Sequence, residues 1–87
     1  MGDHMKIMQE LRNYVLEEEF RIIYSNRKLN ITNYISIPIF ESNEIHIKYS
    51  DGKIIIYGKN LTISKLSKDE VLITGDINKL EFRLDNE

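Results

Sequence analysis

The sequence contains no cysteine, no tryptophan and no alanine, and only one proline, Pro38. Without cysteine there can be no disulfide staple, no thiolate zinc site and no cysteine nucleophile, and a reducing cytoplasm is the expected setting. A chain of 87 residues has room for one domain, close to the size at which a core barely suffices. Its stability must therefore come from apolar packing, alone or with self-association. No run approaches the ~18 apolar residues of a membrane span, and no secretion signal is legible, so a soluble protein is expected. Nor is there an excess of positive charge. Twelve basic against fourteen acidic side chains, with a pI near 5.7, supply no global field for collecting phosphates, and nucleic acid is not an expected partner.

What is present is isoleucine, fifteen times. With alanine absent, that is the composition of strands. Residues 1–4 read as an expression scar, with Met5 the native start. From Met5 to Glu19 the sequence predicts one amphipathic helix, because Ile7, Leu11 and Val15 recur every four residues while Gln9, Glu10, Asn13 and Glu17 fall opposite. Glu17, Glu18 and Glu19 place negative charge where the helix macrodipole disfavours it and should end the helix.

From Phe20 to Leu84 the period changes to two. Phe20–Tyr24 and Leu29–Asn33 read as a hairpin around Ser25-Asn26-Arg27-Lys28, and Tyr34–Phe40 as an edge or bent strand, since Pro38 removes a ladder donor. Ile45, Ile47 and Tyr49 alternate with His46 and Lys48. Asp51-Gly52 then predicts a type I′ turn. Ile54-Ile55-Ile56 lacks alternation, as in a strand covered on both faces. Further turns are expected at Gly58-Lys59-Asn60 and Gly75-Asp76, separating strands at Leu61–Leu66, Val71–Ile73 and Ile77–Leu84. The predicted fold class is mainly β (α+β): one N-terminal helix, then about seven short, mostly antiparallel strands in a compact meander or sandwich over 20–84, with 85–87 as a tail. The regular spacing also fits a short β-solenoid.

A search for chemistry finds little. His46, the one histidine outside the scar, shares its strand face with Lys48, has no acid or cysteine at ligand spacing, and reads as a solvated strand residue. Asp69/Glu70 and Glu17–Glu19 are neighbours on a turn and a helix end. They are not the environment-split carboxylates of acid/base catalysis. The isolated turn glycines Gly52, Gly58 and Gly75 do not open a helix and cannot cradle a phosphate. No catalytic, cofactor-binding or metal-ligating residues are assigned, no cofactor is expected, and the chain does not read as an enzyme. Lys48, Lys53, Lys59, Lys65 and Lys68, with Tyr49 and Tyr57, leave open a ligand- or single-stranded nucleic-acid-binding face, although strand-edge lysines commonly serve to prevent aggregation.

The order of residues is more informative than their types. The stretch Asp51-Gly52-Lys53-Ile54-Ile55-Ile56-Tyr57-Gly58-Lys59-Asn60-Leu61-Thr62-Ile63, followed by Leu66 and by Val71-Leu72-Ile73-Thr74-Gly75-Asp76-Ile77-Asn78-Lys79-Leu80-Glu81-Phe82, resembles the YabP/YqfC family of sporulation proteins. Upstream, Arg21-Ile22-Ile23 and Leu29-x-Ile31-x-Asn33-Tyr34 look more like the YqfC branch, with Glu17–Phe20 standing where a Leu-Pro linker is usual and Ser25-Asn26 where a glycine turn is usual. The resemblance implies a non-enzymatic protein of a Gram-positive endospore former, made in the mother-cell cytoplasm and needed for spore-envelope assembly around the cortex and coat stages. It also implies a protein partner, a membrane-anchored sporulation protein, and a peripheral place at the outer forespore membrane. The family has no defined functional residues to carry over. The candidate partner-binding residues, Ile7, Leu11 and Val15, come from the helix pattern alone; the plainest use of that stripe is to lie across the domain's own sheet, and the alternatives are docking a partner or a second copy in a homo-oligomer.

Overall fold

The computed structural model describes residues 19–85, which form an all-β domain. The helix expected over 5–19 lies outside the described residues except for Glu19, which is not helical. Six strands follow: β1 Arg21–Ser25, β2 Lys28–Thr32, β3 Ser36–Phe40, β4 Glu44–Tyr49, β5 Gly52–Leu66 and β6 Glu70–Leu84. They form one sheet in the order β1-β2-β6-β5-β4-β3, every neighbouring pair antiparallel. Strands β3 to β6 are a meander, and the β1–β2 hairpin docks on the last strand. The antiparallel pairing and this return of the first hairpin make it no solenoid.

The mainly β, antiparallel reading holds, with six strands in place of about seven: the eight apolar segments marked out along the sequence become six strands because two of the expected turns are interior to strands. Both β5 and β6 run for 15 residues. Their turn-prone residues face each other across the hairpin, Gly58 opposite Ile77 and Lys59 opposite Asp76, and the register shifts there. Asn60 (φ 54°) and Gly75 (φ 122°) supply the left-handed backbone. Two facing turn signals thus cancel as chain reversals and act together as a bulged bend.

The bend folds the hairpin back on itself. A straight strand of this length would span about 50 Å. Yet the Asn33 N–H donates to the Asp69 carbonyl at the hairpin tip (2.6 Å), while the Ile35 N–H donates to the Lys48 carbonyl (2.7 Å), near the hairpin's opposite end. Residues 33–35 are a strap joining those ends, secured by the Tyr34 hydroxyl donating to the Ser67 carbonyl (2.7 Å). The sheet is therefore two packed layers. One holds β1, β2 and the halves of β6 and β5 beside the hairpin tip; the other holds β3, β4 and the remaining halves. Leu29, Ile31, Leu61, Val71 and Ile73 from the first layer and Ile45, Ile47, Ile54 and Ile56 from the second make one core.

Turn chemistry also differs from expectation at Asp51-Gly52. Tyr49 pairs with Gly52, so Ser50-Asp51 is the loop and Gly52 the first residue of β5. Glycine is required there for close approach: a Cβ would stand 2.1 Å from the Arg83 carbonyl oxygen. The type I′ geometry belongs instead to Asn26-Arg27, both with positive φ (51° and 62°).

Candidate interaction surface

The register sorts the side chains of the second layer onto two faces. Glu44–Tyr57–Lys79, His46–Ile55–Glu81 and Lys48–Lys53–Arg83 form cross-strand rows on the outer face. Ile54, Ile55 and Ile56 are all buried, as their lack of alternation predicts. His46 is not the solvated residue its sequence context suggests. It is 9% exposed, between Ile39 and Ile55 in its row, with Nε2 2.5 Å from Oε2 of Glu44. The signals missed were Glu44, an acid two residues before His46 on the same strand face, and the isoleucine on each neighbouring strand. Tyr57 carries Lys79 over its ring, Nζ 5.4 Å from the centroid.

Tyr49 lies on the inner side, stacked on Phe20 with ring centroids 3.8 Å apart. Tyr49 and Tyr57 therefore sit on opposite faces, and the aromatic platform weighed for single-stranded nucleic acid is not assembled by this pair. Burial raises the Tyr49 phenol above the ordinary tyrosine value, reinforced by the carboxylates of Asp51 and Asp85. A raised folded-state pKa makes a contribution to stability that is complete below the unfolded value, about 10, and is lost as pH climbs through the folded one. Alkaline melting curves should show the parent losing stability above about pH 10, with Tyr49→Phe, which keeps the stack, flatter there. Parallel curves for the two proteins would remove Tyr49 from the account.

On one side of the sandwich, Tyr24 of β1 and the second half of β6 border the same surface depression. Tyr24, Ile77, Asn78, Lys79 and Leu80 line a shallow depression of about 210 Å³. A more polar one of about 410 Å³ adjoins it, lined also by Arg27, Lys59 and Asp76, and the Arg27 guanidinium pairs with Asp76. Nearby, Phe82 is 54% and Leu84 45% exposed although both belong to the inward face of their strand. The reason is topological. Along β6, strand β2 pairs only with Glu70–Thr74, so among the described residues β6 from Ile77 onward has β5 on one side and no strand on the other. Sequence reading left open which edge was free, because that depends on strand order.

Ile7, Leu11 and Val15 lie outside the described residues. Among the described residues no three histidine, cysteine or acidic side chains are placed to hold a metal ion, and no helix is long and apolar enough to cross a membrane.

A β-domain of six antiparallel strands, with an open edge and exposed apolar side chains, is the class of protein these features define. Residues 17–87 match the YabP family model, and the chain belongs to that family. It is 31% identical over 52 residues to "Uncharacterized protein YqfC" of Bacillus subtilis (strain 168), a match covering 60% of this chain and 56% of that protein. The chain thus spans little more than half the length of that curated relative. No solved structure matches. The resemblance seen in the strand pattern is borne out, and membership points to a sporulation-related protein.

Proposed function

We propose that the domain is a non-enzymatic assembly factor for the spore envelope, working through protein–protein contacts in the mother-cell cytoplasm. Family membership carries this reading. The open β6 edge and the exposed Tyr24, Phe82 and Leu84 give it a physical means, since a strand edge flanked by apolar side chains accepts another chain by backbone pairing. A membrane-anchored partner would hold the protein peripherally at the outer forespore membrane, with Ile7, Leu11 and Val15 as anchors.

Two experiments test it. In an endospore former, deleting the gene should lower the yield of heat-resistant spores and leave cortex or coat defects in thin section, and a fluorescent fusion should gather at the forespore rim. Ordinary spores together with a diffuse fusion would overturn the proposal. Separately, Leu11→Asp should cost partner association while preserving most of the β circular-dichroism signal. Loss of the whole fold would assign that segment to the core instead.

A further inference from the structure

The edge of β6 that the described residues leave free has a polarity that can be read from one hydrogen bond. The Asp85 N–H donates to the Asp51 carbonyl (2.9 Å), extending the β5–β6 ladder. Antiparallel pairs alternate, so Arg83, Glu81 and Lys79 turn their backbone groups toward β5. Leu80, Phe82 and Leu84 therefore present theirs to the open side. Their side chains point to the inner face, and Lys79, Glu81, Arg83 and Asp85 alternate in sign along the outer one.

The geometry points to a second copy of this chain as the occupant of that edge, paired antiparallel through β6 with Phe82 opposite Phe82 across a two-fold axis. In this register Leu80 faces Leu84 of the second copy, and all the facing pairs that must exchange hydrogen bonds are residues whose N–H and C=O already point outward. About six ladder bonds would form. On the outer face the same register sets Lys79 against Asp85 of the second copy and Glu81 against Arg83 of the second copy, each pair occurring twice. Sliding the copies to centre on Glu81 would put Glu81 against itself and Lys79 against Arg83, like against like. Centring on Leu80 sets Lys79 against Glu81 instead but leaves Arg83 opposite Ile77. Of these three registers, the one centred on Phe82 satisfies all four charges.

The charges select the register, and the apolar side chains supply the drive. Each copy already contains an Arg83–Glu81 contact of 2.9 Å and a Lys79–Glu81 contact of 3.8 Å, both solvent-accessible. Pairing the edges would continue the inner face from one copy into the next and cover Phe82 and Leu84. Rival edges are poorer. β1 has only five residues, and β3 contains Pro38, which offers no donor. This inference concerns association alone and does not depend on the cellular role proposed above.

The test is the solution mass of the full chain by light scattering across a concentration series, with four variants. A concentration-dependent dimer is expected. Phe82→Pro removes an N–H that β5 does not use, so it should raise the dimer dissociation constant by at least about tenfold while the monomer keeps its circular dichroism. Glu81→Arg and Arg83→Glu should each weaken the dimer, and the double variant should restore it, because the exchange rebuilds both cross-copy pairs. A chain that stays monomeric, a dimer indifferent to all four variants, or a double variant no better than the singles would overturn the proposal. So would a monomer that dimerises only when residues 1–18 are removed, which would make that segment the occupant of the edge.

Discussion

Replacing Gly75 by valine is expected to remove a large part of the domain's stability and to lower its melting temperature by more than about 10 °C. Gly75 has φ of 122°, a conformation that side chains with a Cβ rarely adopt, and the added atom would stand 2.5 Å from the Asn60 carbonyl oxygen on the facing strand. Backbone strain and overpacking together should cost about 3–5 kcal/mol. A domain of this size has only about 3–10 kcal/mol in total. Relief by straightening the hairpin is not open to it, because a straight hairpin separates Asp69 from Lys48 and tears the 33–35 strap from one of them. Gly58→Ala attacks the same bend from the other strand, where a Cβ would lie 2.1 Å from the Asp76 carbonyl oxygen. Thermal melting followed by circular dichroism checks both, and a cooperative transition within a few degrees of the parent's would show that the bend tolerates a Cβ.

The same bend explains how much of the fold was legible beforehand. Alternation located the edges of β1, β2 and β4 to within a residue or two, and the isoleucine triplet announced its own two-sided burial. These are local properties, fixed by where successive side chains point. Gly58 and Gly75 carried real information about irregular backbone, but a one-dimensional reading cannot tell a chain reversal from a bulge. The difference depends on what lies across the ladder. His46 was misplaced for the same reason, since its burial is supplied by Ile39 and Ile55 on other strands. The open β6 edge was beyond sequence reading altogether. Nothing in Ile77–Leu84 records that β2 stops pairing at Thr74, whereas the sign alternation that makes this edge self-complementary was present in the sequence with no visible role.

Ile56→Ala should destabilise the domain by about 3 kcal/mol, and Ile55→Ala, its neighbour, by about 1–2 kcal/mol. Exposure alone predicts equal losses, since Ile56 is 0% and Ile55 1% exposed. The difference comes from what can move into the space. Ile56 stands between the two layers, with Ile45 and Leu80 beside it on adjacent strands. The layers cannot close on a cavity there, because the strap and the bulged bend fix their separation, so the lost contacts stay lost. Ile55 lies on the outer face, where its cross-strand neighbours are His46 and Glu81 and its flanking rows carry Lys53 and Tyr57. Long side chains at a surface can settle over a missing group at modest cost. Urea titrations of the two variants and the parent measure the difference directly, provided the slope is unchanged. Equal costs would mean that the outer face is held as rigidly as the inner one, and the second layer would then be covered on both sides. In that case association could not use its faces and would be confined to its edges, which makes the β6 register the sharper test of how copies of this protein meet.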